Sequence, residues 1–252
     1  MNSPTPFSPA QPPAGEPKDA SGTPPAMTPA MRAFCFPFFA FMLLLAVPGW
    51  IQKLGRAEFL LAEPKYWIFP LQTLLCGTLL AIYWRKYALA WPKRGKDWAL
   101  TLGIAILVLG IWISPQEVFG MAARLEGFDP NVFARGTTEY WVSLGLRFAR
   151  LVIVVPLLEE IFWRGFLLRY LIREDFEKVP FGSFTPFSFA AVSLCFGLAH
   201  WGPDFVPAVI TGALYNLIAI RTRSLSACVI AHAVTNLTLG LYIMKTGQWG
   251  FW

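Results

Sequence analysis

Three short stretches of this 252-residue chain set ionisable or amide side chains inside runs that are otherwise apolar. Glu159-Glu160-Ile161-Phe162-Trp163-Arg164 follows directly on the apolar run Leu151 to Leu158. Phe196-Gly197-Leu198-Ala199-His200 is the second stretch, and His232-Ala233-Val234-Thr235-Asn236 the third; between them these two hold both histidines of the chain. A carboxylate beside an imidazole can hold a water molecule and take its proton. An imidazole and a carboxamide facing them can donate hydrogen bonds to a carbonyl oxygen as it gains charge. Glu159, His200, His232 and Asn236 are therefore sufficient equipment for hydrolysing an amide bond. Glu159, His200 and His232 are also a ligand set of the kind that zinc hydrolases use. The HExxH helix signature is absent and Asn236 is a weak ligand, so a metal-bound water and a water held by Glu and His both stay open.

Each group has a plain structural reading as well. Glu160 and Arg164 lie four apart, share a helix face and can pair, which makes an intramembrane charge tolerable. Glu159 is turned about 100° from Glu160 and is free to face something else. A lone histidine within the membrane is often an interhelical hydrogen bonder, and Asn236 alone is ordinary helix-packing glue. Three independent structural explanations are less economical than one shared site, and His232 and Asn236, four apart, would present two polar groups to one cavity.

The elements that must carry these residues follow from composition. Hydrophobic residues make up 56 % of the chain and charged residues 14 %, with 22 Phe and 11 Trp. Soluble domains carry about a quarter charged residues, so a disordered chain, a disulfide scaffold and an ordinary cytosolic enzyme are excluded. Apolar stretches near 33–51, 66–84, 97–113, 147–172, 184–200, 204–220 and 225–243 each approach the roughly 20 residues that cross a hydrocarbon core. The expectation is an all-α, polytopic transmembrane helical bundle of about seven to eight membrane helices. A short interfacial helix could occupy the more polar interval from Pro115 to Tyr140, and an eighth membrane segment could lie there or within the long fourth region. The chain divides into a Pro-rich tail over 1–30, expected to be disordered, N-terminal transmembrane helices with an extracytoplasmic connection over 31–140, a core over 141–245 that carries the polar groups, and a C-terminal tail over 246–252. No internal repeat is evident.

The net charge of +6 needs no nucleic acid, since no basic block is interleaved with aromatics. Basic residues gather between spans two and three (Arg85, Lys86, Lys93, Arg94, Lys96), after span four (Arg169, Arg173, Lys178) and between spans six and seven (Arg221, Arg223). Placing all three connections in the cytoplasm gives a consistent alternation, with the acidic 115–140 connection outside. Arg147 and Arg150, near the outer end of span four, do not fit this pattern. Cys35, Cys76, Cys195 and Cys228 lie in apolar runs without a CxxC pair and read as small hydrophobes.

At the polar stretches the chain resembles the CPBP family of intramembrane proteases, which comprises the type II CAAX prenyl endopeptidases and the bacterial abortive-infection proteins. The family pattern EExxxR, FxxxH and HxxxN reads here as Glu159-Glu160 to Arg164, Phe196 to His200 and His232 to Asn236. Tyr215 through Arg221-Thr222-Arg223-Ser224-Leu225 is similar to the family's turn before the last motif, with Arg223 where a glycine is usual. The resemblance covers about residues 145–240. It implies that Glu159 and His200 activate the attacking water, that His232 and Asn236 stabilise the oxyanion, and that Glu160 and Arg164 orient the site. It further implies either no required cofactor or a Zn2+ ion, a membrane-anchored or lipidated protein or peptide as substrate, the lipid bilayer as surroundings, no nucleic acid, and a multi-pass location in a bacterial cytoplasmic membrane. A non-catalytic membrane scaffold or immunity-type protein, and a proton-coupled transporter, are the alternative readings.

Overall fold

The computed structural model describes residues 27–53 and 62–252. The Pro-rich stretch lies outside these residues as far as position 26. Among the described residues there is no strand, and seven helices carry the fold: α1 (Pro29–Gln52), α2 (Lys65–Tyr83), α3 (Gly95–Glu117), α4 (Thr138–Tyr170), α5 (Pro186–Ala199), α6 (Phe205–Thr222) and α7 (Leu225–Thr246). All but α5 are long and apolar enough to cross a membrane. Their starts follow capping chemistry. Thr28, Thr137, Thr185 and Ser224 each accept a backbone N–H from the first turn that follows, and Pro29 and Pro186 occupy first-turn positions that have no amide to lose. α7 stops at Gly247 in the left-handed conformation (φ 70°).

Contacts between the connections sort the helix ends into two groups. At one end the Tyr87 hydroxyl donates to Ala33 O at 2.8 Å, Phe34 packs edge-on against Phe176, and Ser224 Oγ donates to Ala90 O. At the other, Lys65 Nζ donates to Gly127 O at 2.9 Å, Arg124 pairs with Asp204 at 2.6 Å, and Gly250 N–H donates to Arg124 O at 2.9 Å. The first end gathers the three basic connections, so the expected alternation matches the chain's actual course. Exposed tryptophans form a belt at each end: Trp84, Trp91 and Trp98 at the basic one, Trp50, Trp67, Trp141 and Trp201 at the other. From Trp67 to Trp84 the helical rise is about 25 Å, close to the thickness of a hydrocarbon core. Between the belts the outward surface is apolar too, with Phe39, Leu74, Ile106 and Ile153 exposed. Helices apolar on all sides are what lipid requires.

Three expectations need correcting. The interval 118–137 holds no interfacial helix and no eighth segment, only one short 3-10 turn, Pro130–Val132, capped by the Asp129 side chain. α4 starts nine residues before the expected span, because Thr137 caps it and Tyr140, Ser143 and Arg147 give its first turns a buried face. The span expected over 184–200 is a helix of only 14 residues, Pro186–Ala199, with His200 just beyond its end (φ −114°, ψ 41°).

α4 is not a regular α-helix. Wide turns with i→i+5 hydrogen bonding occur at Arg150–Val154 and again at Ile161–Leu167. The first precedes Pro156, which has no N–H to offer. An ideal α-helix would turn Glu159 about 120° away from Arg147. The wide turn takes up that rotation, so Arg147, Leu151, Val155 and Glu159 all line one cavity.

Small residues bring the other walls close. An ideal Cβ on Gly212 of α6 would sit 3.0 Å from Ser193 Cα of α5, and one on Gly165 of α4 would sit 2.9 Å from the Phe34 ring of α1. Cys35, Cys76 and Cys228 are buried, Cys195 is half-buried, and none is in a disulfide.

Candidate active site

Arg164 is fully buried, and its surroundings account for it. Its Nη1 donates to Glu160 Oε1 at 3.1 Å, its Nε to Asn216 Oδ1 at 3.1 Å, and its Nη2 to Gly212 O at 2.9 Å. The guanidinium also lies beside the rings of Phe196 and Tyr215, 5.0 and 5.5 Å from their centroids. Asn216 is itself held, its Nδ2 donating to Ser193 Oγ at 3.1 Å. Glu160 Oε1 accepts a second bond at 2.9 Å from His232 Nδ1. Asn216, Arg164, Glu160 and His232 thus form one buried chain across α4, α6 and α7. Since the carboxylate accepts and does not donate, the His232 proton sits on Nδ1, leaving Nε2 for other work.

Against this cluster lies a cavity of about 340 Å³. Glu159, His200, His232 and Asn236 all line it, together with Arg147 and Arg150; Glu160 and Arg164 do not. Glu159 is 6 % exposed and its Oε2 is buried without a hydrogen-bond partner. A carboxylate oxygen in that condition needs a donor such as water. His200 donates from Nδ1 to Phe196 O at 2.9 Å and stacks on the Phe196 ring, so its Nε2 is also left free. The spacing FxxxH has a mechanical meaning here: the fourth residue back supplies both the carbonyl and the ring that fix the imidazole.

Asn236 has a task that the sequence does not announce. In α4 the Val155 N–H goes to Arg150 O, and Pro156 has none, so Leu151 O loses both donors that a helix would offer it. Asn236 Nδ2 supplies the bond at 2.9 Å. One N–H of the carboxamide is thereby committed, and the other remains for the cavity. Tyr215 closes the wall beside His232, its hydroxyl donating to Thr235 Oγ1 at 2.9 Å while Thr235 donates to Ala105 O at 3.0 Å.

Residues 141–238 match the family model described as type II CAAX prenyl endopeptidase, Rce1-like. This stretch is similar to the CPBP family of intramembrane proteases. It runs from the first turns of α4 into α7 and contains all seven motif residues as well as Arg147 and Arg150. No curated protein and no solved structure matches the chain. Helices α1 to α3 precede the matched stretch and wall it: Phe38 of α1 stacks on Phe162 at 4.0 Å, and Trp112 of α3 donates to Thr211 Oγ1 at 2.9 Å.

Among the described residues no three His, Cys, Asp or Glu side chains gather closely enough to hold a metal ion. Glu159, His200 and His232 line one cavity without being gathered into a close set of three. Sequence reasoning missed Asn216 and gave Tyr215 and Thr235 no role at the site, since their types are unremarkable in apolar helices. It met Arg147 and Arg150 only as an irregularity of charge. The spacing 147, 151, 155, 159 held the signal, hidden by a wide turn that the sequence does not announce.

Proposed function

We propose that this chain is an intramembrane endopeptidase that hydrolyses a peptide bond of a membrane-anchored or lipidated protein, using water activated by Glu159 and His200. The observation that carries this reading is the cavity itself, which brings an unpartnered carboxylate oxygen, two imidazoles with free Nε2 atoms and a carboxamide to one surface inside the membrane slab.

In this mechanism a water molecule lies between Glu159 and His200. It gives up a proton as its oxygen bonds to the carbonyl carbon, and the carbonyl oxygen becomes an oxyanion. His232, held through Nδ1 by Glu160, faces that oxyanion with Nε2 and donates to it once that nitrogen carries a proton, and the uncommitted N–H of Asn236 donates beside it. When the C–N bond breaks, the proton passes to the departing nitrogen, and the products are a carboxylic acid and an amine. Arg164 fixes Glu160, and through it the His232 ring. No step requires a metal. Substrate reaches such a site most readily when it is already held in the bilayer, which is the reason for favouring an anchored or lipidated chain.

The test is cleavage of an anchored peptide by purified protein in liposomes. Glu159→Ala and His200→Ala are each expected to lower kcat/KM by at least 100-fold, with the thermal unfolding of each variant close to that of the parent. Undiminished cleavage by either folded variant would refute this assignment and favour a non-catalytic scaffold.

A further inference from the structure

Of the four polar residues at the cavity, His200 alone is carried by no helix. It lies just past the end of α5 with φ −114° and ψ 41°, and Gly202, two residues on, has a φ of 100°. Glu159, His232 and Asn236 inherit their positions from helices, whereas the His200 imidazole depends on what touches it. The Nδ1 bond to Phe196 O and the Phe196 ring, stacked at 4.7 Å, fix one edge and one face. A second ring reaches His200 from another helix. The Trp112 indole of α3 stands across the imidazole at 79°, with the ring centroids 5.8 Å apart.

Trp112 is itself pinned. Its Nε1–H donates to Thr211 Oγ1 of α6 at 2.9 Å, and the Thr211 hydroxyl donates to Pro207 O at 2.8 Å. With its own proton directed at Pro207, Thr211 Oγ1 can only accept from the indole, so the bond has one sense and the ring one orientation. Thr211 is buried, Trp112 is half-buried, and both line the cavity with His200. Elsewhere α3 turns large side chains outward, with Leu102, Ile106 and Leu107 exposed. It presents an indole to the cavity where it passes His200.

We infer that Trp112 is a positioning residue for His200: Thr211 sets the indole, and the indole sets the plane of the imidazole. This rests on the endopeptidase reading and extends its site to α3, a helix that precedes the matched stretch 141–238. An imidazole held only through Nδ1 and one stacked face can still slide over the Phe196 ring. A fixed ring standing across it blocks that slide, and perpendicular aromatic rings attract each other in their own right. Nε2 then stays available to the water shared with Glu159. A misplacement of about 1 Å at a reacting group can cost about 100-fold in rate, so the contact matters to turnover more than to binding.

The experiment uses the full chain in phosphatidylcholine vesicles with an anchored peptide. Trp112→Leu is expected to lower kcat about 10- to 100-fold while KM stays within about twofold of the parent. Trp112→Phe keeps a ring but loses the indole N–H, and Thr211→Val keeps the shape but loses the acceptor. Each is expected to lower kcat about 3- to 10-fold. Together they should cost no more than the larger alone, since both break the same bond. Thr211→Ser retains the hydroxyl and is expected to turn over within about twofold of the parent. Additive losses in the double variant, or parental kcat in a folded Trp112→Leu, overturn the proposal. Should Trp112→Leu fail to fold, Trp112→Phe and the two Thr211 variants give the same decision.

A second arm reads His200 without any cleavage. The chain has two histidines, so protein isotope-labelled at histidine gives one imidazole signal for each by nuclear magnetic resonance, and His232, held by Glu160, is the internal reference. Thr211→Val is expected to broaden the His200 signal and Thr211→Ser to restore it, with His232 unchanged in both. That result with no cleavage by the parent keeps the positioning role and overturns the protease reading. Lost turnover with an unmoved His200 signal, or equal broadening at His232, overturns the positioning role and leaves the protease reading standing.

Discussion

At the residue scale the chain contrasts two kinds of ion pair. Glu160 and Arg164 are both fully buried, and each has further partners within hydrogen-bond reach. Arg94 and Asp97 also pair, at 2.9 Å, but the Arg94 side chain is 55 % exposed. Removing one member of a buried pair strands the other charge and costs about 3–5 kcal/mol, whereas an exposed pair is screened by solvent and contributes little. Arg164→Ala is therefore expected to lower the unfolding temperature of the detergent-solubilised protein sharply and to release His232 from its orientation. Arg94→Ala should leave both nearly unchanged. The i, i+4 spacing made the Glu160–Arg164 pair legible in the sequence. The partners Asn216 and His232 come from 52 and 72 residues away, and no local spacing reveals them.

At the scale of the element, α4 decides which residues face the cavity. A regular helical period separates Glu159 from Glu160 correctly, and it also keeps Glu160 beside Arg164. It fails for Arg147, since the wide turn ahead of Pro156 shifts the phase of everything after it. Asn236 is legible as a polar group facing inward; that it completes the hydrogen bonding of a broken turn in another helix is not. The turn between α6 and α7 shows a third kind of local cost. Arg223 has φ 51° and ψ 36°, the only non-glycine residue with positive φ among those described. A glycine adopts that conformation freely, and an L side chain gives up about 1 kcal/mol or more. Arg223→Gly is expected to stabilise the protein by about 1 kcal/mol, read as a higher unfolding midpoint without change in activity. An unchanged or lower midpoint would show that the Arg223 side chain offsets its backbone strain.

At the scale of the whole molecule, the seven helices among the described residues set four polar groups from three of them, or just beyond their ends, around a cavity between two tryptophan belts. The bundle, its alternating course and the motif residues were legible because lipid leaves few solutions for an apolar chain and makes each buried polar residue conspicuous. The cavity's far end was not, because Arg147, Phe128 and Trp252 meet only when the connection after α3 and the segment after α7 close on the same helix end. The measurement that bears most directly on this arrangement is mass spectrometry of the products formed in heavy-oxygen water by the parent protein and by Glu159→Gln. One heavy oxygen in the newly formed carboxylate of the parent's product, with no product from a folded Glu159→Gln that still binds the peptide, is the expected result. The same labelled product at an undiminished rate from Glu159→Gln would contradict it.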